Sequence, residues 1–164
     1  IWGAELNLIA QSEALGRFNL SGNYTHARYK EFLASAGWNT SINLNLAGNR
    51  LPLSPDWSFA AQYERPVELN GGATITPSLG LKYQSEQFFA ATNYPVQRQG
   101  AYAYLDAGLQ FEPASKAWSV QAYVRNLTDK TVFADATEFY TFNNYTFTYQ
   151  PPRTYGVRFS ARFD

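Results

Sequence analysis

The sequence predicts an all-β fold, seven antiparallel strands in an up-and-down meander that form a segment of a transmembrane β-barrel. Three observations carry this expectation. Apolar and polar residues alternate along seven stretches, the connections between them alternate short and long, and aromatic residues gather near the ends of the apolar faces. Alternation of period two places one set of side chains on each face of a strand. No stretch shows a competing helical period.

The first strand sets Trp2, Ala4, Leu6, Leu8 and Ala10 against Gly3, Glu5, Asn7 and Gln11, with Ile9 out of pattern. The second sets Phe18, Leu20, Gly22 and Tyr24 against Arg17, Asn19, Ser21, Asn23 and Thr25. The third opposes Trp57, Phe59, Ala61 and Tyr63 to Ser58, Ala60, Gln62 and Glu64. In the fourth, Ile75, Pro77, Leu79, Leu81 and Tyr83 face away from Thr74, Thr76, Ser78, Gly80, Lys82 and Gln84. The fifth, Ala101 to Glu112, is the clearest, with Ala101, Ala103, Leu105, Ala107, Leu109 and Phe111 on one face. Its other face carries Tyr102, Tyr104, Asp106, Gly108, Gln110 and Glu112. The sixth opposes Trp118, Val120, Ala122 and Val124 to Ser119, Gln121, Tyr123 and Arg125. The last opposes Tyr155, Val157, Phe159, Ala161 and Phe163 to Gly156, Arg158, Ser160, Arg162 and Asp164. Most runs are about 8 to 12 residues, which suits the roughly 9–11 that a tilted membrane strand needs.

Short polar turns are expected near Gln11 to Gly16, Glu68 to Gly72 and Pro113 to Lys116. Long connections are expected at about Phe32 to Pro55, Gln87 to Gly100 and Asp129 to Arg153. A meander with short turns at one end and long loops at the other is the layout of an outer-membrane barrel. With the last strand running inward from the cell exterior, the outward rings form two rows. Trp2, Tyr24, Trp57, Tyr83 and Tyr155 make an outer girdle; Phe18, Tyr63, Phe111, Trp118 and Phe163 make an inner one. Between them the outward face is Leu, Val, Ile, Ala and Gly, and amphipathic rings suit the headgroup level on either side. A soluble sandwich would instead place its rings at mid-strand, where burial is greatest, and would need strands of only about six residues.

Composition closes off other classes. Thirteen basic and thirteen acidic residues balance, so the cationic excess that phosphate binding requires is missing and no nucleic-acid partner is expected. With no cysteine and a single histidine, thiolate metal sites, thiol nucleophiles and disulfides are excluded, and no metal or other cofactor is expected. Phe32 to Asn49 is uncharged but carries Ser35, Asn39, Thr40, Ser41, Asn43 and Asn45, too many polar groups for a membrane helix. Aromatics make up 17% of the chain while its mean hydropathy is negative, as expected when half of each strand faces lipid and half a wet lumen.

Asn126-Leu127-Thr128-Asp129-Lys130, a long loop, and Pro151-Pro152-Arg153-Thr154-Tyr155-Gly156-Val157-Arg158-Phe159 together closely resemble the C-terminal end of TonB-dependent outer-membrane receptors. Gly3-Ala4-Glu5-Leu6, Tyr24-Thr25-His26-Ala27-Arg28-Tyr29 and Asn49-Arg50-Leu51-Pro52-Leu53-Ser54-Pro55 add to the resemblance, which runs along the whole chain. It implies a 22-stranded barrel around an N-terminal plug, taking up a large, scarce extracellular ligand with energy delivered by the TonB complex. It also implies the outer membrane of a Gram-negative cell. A ferric siderophore is the leading ligand class, with a vitamin or an oligosaccharide as alternatives. A passive porin-like channel is the rival function, and an outer-membrane barrel enzyme a more distant one.

On this resemblance residues 1–164 are the last seven strands, with the plug, the TonB box and the earlier strands elsewhere in the parent protein. Physics agrees, since seven is odd and two unpaired edge strands would leave amide groups unsatisfied in lipid. The terminal run Tyr155, Val157, Phe159, Ala161, Phe163 resembles a barrel-assembly signal, displaced by one residue because Asp164 follows it.

Candidate ligand contacts lie in the loops. Asn143-Asn144 fits the two positive-φ positions of a hairpin turn, which would set Phe142 opposite Tyr145 and Tyr140 opposite Phe147 on one aromatic face. That face could stack on a ligand; packing against neighbouring loops is the simpler use. Trp38, in the loop after the second strand, is a further candidate. Inward charges, namely Glu5, Arg17, Glu64, Lys82, Asp106, Arg125, Arg158 and Arg162, could line the ligand path or meet the plug. Neither His26 nor the scattered Ser, Asp and Glu residues show the spacing of a catalytic triad, so no catalytic residue is assigned.

Overall fold

The computed structural model describes residues 1–36, 39–139 and 144–163. In chain order the strands are β1 (Trp2–Ser12), β2 (Gly16–His26), β3 (Leu33–Ala36), β4 (Asn39–Asn45), β5 (Trp57–Glu64), β6 (Val67–Glu68) and β7 (Thr74–Gln84). There follow β8 (Gln87–Phe88), β9 (Arg98–Gln99), β10 (Tyr102–Glu112), β11 (Trp118–Arg125), β12 (Phe133–Phe139), β13 (Asn144–Tyr149) and β14 (Thr154–Ala161), with one 3₁₀ turn at Pro95–Gln97. Among the described residues no helix is long and apolar enough to cross a membrane.

The seven alternating stretches become β1, β2, β5, β7, β10, β11 and β14, joined in sequence order into one antiparallel sheet. Its register keeps like faces together. Leu8 lies opposite Leu20, Leu20 opposite Ala61, Ala61 opposite Leu81, and Leu81 opposite Leu105, a continuous apolar row across five strands. Phe111, Val120 and Phe159 continue the same face. A slip of one residue in any strand would turn its leucines toward the polar side, so the alternation itself fixes the pairing.

At the short-turn end, β6 keeps the β5 register against β7, so β5 and β6 form one strand broken at Arg65-Pro66. Pro66 has no amide to give to the ladder. The strand then reverses through Asn70-Gly71-Gly72, where Gly71 and Gly72 take φ of 100° and 81° and the Leu69 amide donates to Ala73 O at 2.7 Å.

Each long connection carries a small hairpin of its own: β3–β4, β8–β9 and β12–β13. Of these, the sequence pointed only to the last. The only apolar residues fully withdrawn from solvent among the described ones are Ala27, Leu46, Val132 and Ala136, and all four sit in these connections. The sheet has no core beneath it: Leu79 and Leu109, in central strands, are 52% and 51% exposed. Withdrawing each such side chain from water contributes roughly 1.5–3 kcal/mol, so this face needs an apolar cover.

The aromatic hairpin forms with a different register from the expected one. Phe139 pairs with Asn144, Glu138 with Tyr145, Thr137 with Thr146 and Ala136 with Phe147. Tyr145 therefore faces Glu138, and Phe147 faces Ala136, rather than Phe142 and Tyr140. Asn144 lies within β13 and is not the second residue of a two-residue turn. The register is held from the far end of the hairpin, where Phe133 pairs with Tyr149, its ring meets Phe147 and Tyr149, and the Gln150 amide donates to Val132 O at 2.9 Å. Tyr140 and Phe142, like Trp38, lie outside the described residues.

Candidate functional site

Polar side chains from β2, β5, β7, β10, β11 and β14 bound a concavity of about 520 Å³ on the inward face of the sheet, with Arg17, Glu64, Asp106, Arg125 and Arg158 among its lining residues. Alternation puts them there, and register decides who meets whom. Arg17 and Glu64 are cross-strand partners with 3.9 Å between nitrogen and oxygen, both about half exposed. Farther across the sheet, Arg162, just past the end of β14, approaches Glu112 of β10 at 3.8 Å. Asp106 accepts a hydrogen bond from the Asn126 amide at 2.8 Å, and the Asn23 side chain donates to Glu5 at 3.0 Å. The Arg125 guanidinium lies 5.6 Å from the centre of the Tyr123 ring. That ring crosses Gly156 so closely that a Cβ there would stand 2.8 Å from the Tyr123 hydroxyl oxygen. Lys82, opposite Tyr104, and Arg158, opposite Gln121, have no carboxylate partner among the described residues, and neither has Arg125.

On the outward face neighbouring rings of the aromatic rows meet in groups. Ring centres are 5.3 Å apart for Trp2 and Tyr24, 4.5 Å for Tyr24 and Trp57, 5.8 Å for Trp57 and Phe59, and 6.0 Å for Phe59 and Tyr83. His26 stacks on Trp2 at 5.3 Å. Toward the other strand ends Phe18 meets Tyr63 at 4.4 Å, Phe111 meets Trp118 at 5.7 Å, and Trp118 meets Phe159 at 6.1 Å. Tyr155 stands on the last strand and Phe163 just beyond it, both strongly exposed.

The recognisable sequence motifs turn out to be joints between strands and loops. The Asn126 side chain accepts from the Lys130 amide and donates to its carbonyl, closing a tight loop in which Asn126 and Asp129 take φ of 51° and 53°. Asp129 then holds Arg153 by an ion pair at 3.3 Å and by its amide at 3.2 Å, so the segment leaving β11 is tied to the one entering β14.

Arg50 is the centre of a second joint. It pairs with Asp56 at 2.9 Å and Glu86 at 3.3 Å, while Arg28 reaches Asp56 and Arg98 reaches Glu86. Asn49 and Asn93 add hydrogen bonds between the same two loops. This five-residue network was not foreseen, because its members are scattered over two long connections and only folding brings them together. Arg50 lay within a motif, but no spacing ties it to Glu86.

Among the loop rings, Phe133 contacts Phe147 at 5.0 Å and Tyr149 at 5.2 Å, so an aromatic group does form on the β12–β13 hairpin, with Phe133 as a member that the sequence reading omitted. Tyr145 lies on the same strand as Phe147.

The profile described as TonB dependent receptor-like, β-barrel matches residues 1–127. No curated protein matches the chain at a significant level. Among solved structures, the ferric yersiniabactin uptake receptor FyuA from Yersinia pestis is similar over 99% of this chain and 23% of its own, with a TM-score of 0.78 and 20% identity. The siderophore receptor PiuA from Acinetobacter baumannii is similar over 96% and 21%, with a TM-score of 0.75 and 18% identity. BauA from Acinetobacter baumannii, a ferric preacinetobactin receptor, covers 96% and 25%, with a TM-score of 0.54 and 16% identity. The chain therefore spans about a quarter or less of the length of the receptors it matches. The up-and-down sheet, its two unlike faces and the match over residues 1–127 lead to one identification: this chain belongs to the TonB-dependent receptor β-barrel family.

Proposed function

We infer that this chain forms part of the wall and mouth of an outer-membrane receptor in a Gram-negative cell, one that takes up a ferric siderophore with energy delivered by TonB. The observation that carries this reading is the two-faced sheet, apolar and uncovered on one side, concave and charged on the other. Membership of the family supports transport rather than catalysis, and the names of FyuA, PiuA and BauA favour an iron chelate as cargo. The remaining strands and an N-terminal plug would come from the parent protein, completing a barrel of 22 strands.

Within this reading lipid covers the apolar face, and the two aromatic rows sit at its interfaces. Arg17, Glu64, Lys82, Asp106, Arg125, Arg158 and Arg162 line the path or meet the plug. Tyr145 and Phe147, with Trp38, Tyr140 and Phe142, are the proposed loop contacts to the ligand.

Uptake of radiolabelled ferric siderophores by cells carrying the parent receptor tests the proposal. Uptake of at least one chelate should disappear both when the receptor gene is deleted and when TonB is removed. Uptake that persists without TonB would instead support a passive channel.

A further inference from the structure

The rim of this wall contains two glutamines, Gln97 and Gln99, that are 2% and 9% exposed and sit where the 3₁₀ turn enters β9. An amide side chain buried this deeply costs stability unless both its ends are satisfied. Both ends are, and one bond from each goes to the aromatic hairpin. Gln99 Oε1 accepts from the Phe133 amide at 2.7 Å, and its Nε2 donates to Gly100 O at 2.9 Å. Gln97 Nε2 donates to Ala136 O at 3.4 Å, while its Oε1 accepts from the Thr92 hydroxyl at 3.1 Å. Phe133 and Ala136 belong to β12, whose amides and carbonyls on this side would otherwise form an open sheet edge. The series continues into the first loop, since Asn49 Nδ2 donates to Thr92 O at 3.2 Å.

We propose that Gln97 and Gln99 are positioning residues that fix the β12–β13 hairpin over the mouth of the wall and make the three long connections move as one body. Only a side chain with both a donor and an acceptor can bridge in this way, so neither a carboxylate nor an aliphatic group substitutes. The value of the device for binding rests on the reading that Phe147 and Tyr145 contact ligand; its mechanics do not.

The test needs no ligand. In the full-length receptor, spin labels at Thr146→Cys and Ala114→Cys report the distance between the hairpin and a turn at the far end of the wall. A narrow distribution is expected, widening about twofold when Gln97→Leu and Gln99→Leu are introduced together, while heat-modifiable migration shows the barrel still folded. An unchanged width in a folded barrel overturns the proposal. Hydrogen exchange on the unaltered receptor provides the second measurement. Residues 85–101 and 132–149 should open with the same protection, and exchange about tenfold or more faster in 132–149 than in 85–101 would show the hairpin moving alone. Unchanged siderophore uptake in the double variant, with both measurements as expected, would count against the ligand reading and leave the positioning role standing.

Discussion

Two arginines show how differently the same ion can count. Arg17 faces Glu64 across a strand pair at 3.9 Å with both side chains about half in solvent, and exposed pairs of this kind contribute roughly 0–1 kcal/mol. Arg50 bonds two carboxylates at 2.9 and 3.3 Å where its own side chain is only 22% exposed, and removing it leaves both acids confined without a full complement of partners. Arg50→Ala should therefore loosen the loop segments 27–56 and 85–101 by about 2 kcal/mol of local opening free energy. Arg17→Ala should change it by less than about 0.5 kcal/mol. Hydrogen exchange of those segments in the full receptor measures both, and equal effects would show that the network is no tighter than the surface pair. Gly156 is another single-residue constraint: the Tyr123 ring occupies the place of a side chain, which explains a glycine inside an otherwise regular strand.

For the strands, what could be read from the sequence and what could not follows from period. In β10 the apolar set from Ala103 to Phe111 and the polar set from Tyr102 to Glu112 each fall on one face, because successive side chains of a strand point to opposite sides and a sheet with two unlike faces shows its alternation at every residue. The hairpins β3–β4 and β8–β9 carry a weaker signal: Ile42, Leu44 and Leu46 alternate with Ser41, Asn43 and Asn45, but that run is brief and sits inside a long connection, and β8 and β9 are two residues each. The β12–β13 hairpin was visible as an aromatic run, but its register goes with Phe133, which pairs with Tyr149 and whose ring meets Phe147 and Tyr149, and no local pattern in 139–149 encodes that. The faces of β10 make unequal predictions. Leu109→Arg, on the apolar face, should destabilise the assembled receptor by about 2–4 kcal/mol in lipid, whereas Gln110→Arg, one residue on but facing the lumen, should be nearly neutral. Urea titration in bilayers compares them, and similar costs would mean that the two faces see the same solvent.

Taken as a whole, the chain inverts the usual arrangement of a protein of 164 residues. Among the described residues its seven principal strands enclose no core, its apolar side chains point away from the concavity, and its best-buried side chains lie in the connections at one end. These features make sense together if lipid covers one face, water and a plug occupy the other, and an ordered rim closes the outer end. The functional residues were only partly legible for the same reason. Alternation puts Arg125 and Arg158 on one face of the sheet, where both line the same concavity, but which charges pair and which stay unpaired depends on cross-strand register, and the proposed ligand contacts lie in loops that pack through non-local bonds.

The central claim, that the even-numbered face of β10 looks into water and the odd-numbered face into lipid, is open to direct measurement by cysteine substitution: residues 1–164 contain no cysteine, and any in the rest of the receptor are first replaced by serine. Single cysteines placed one at a time from Tyr104 to Gln110 in the full receptor, reconstituted in bilayers, can be challenged with a membrane-impermeant thiol reagent. Labelling should alternate, high at positions 104, 106, 108 and 110 and low at 105, 107 and 109. Uniform labelling along the strand, or the opposite phase, would contradict the account.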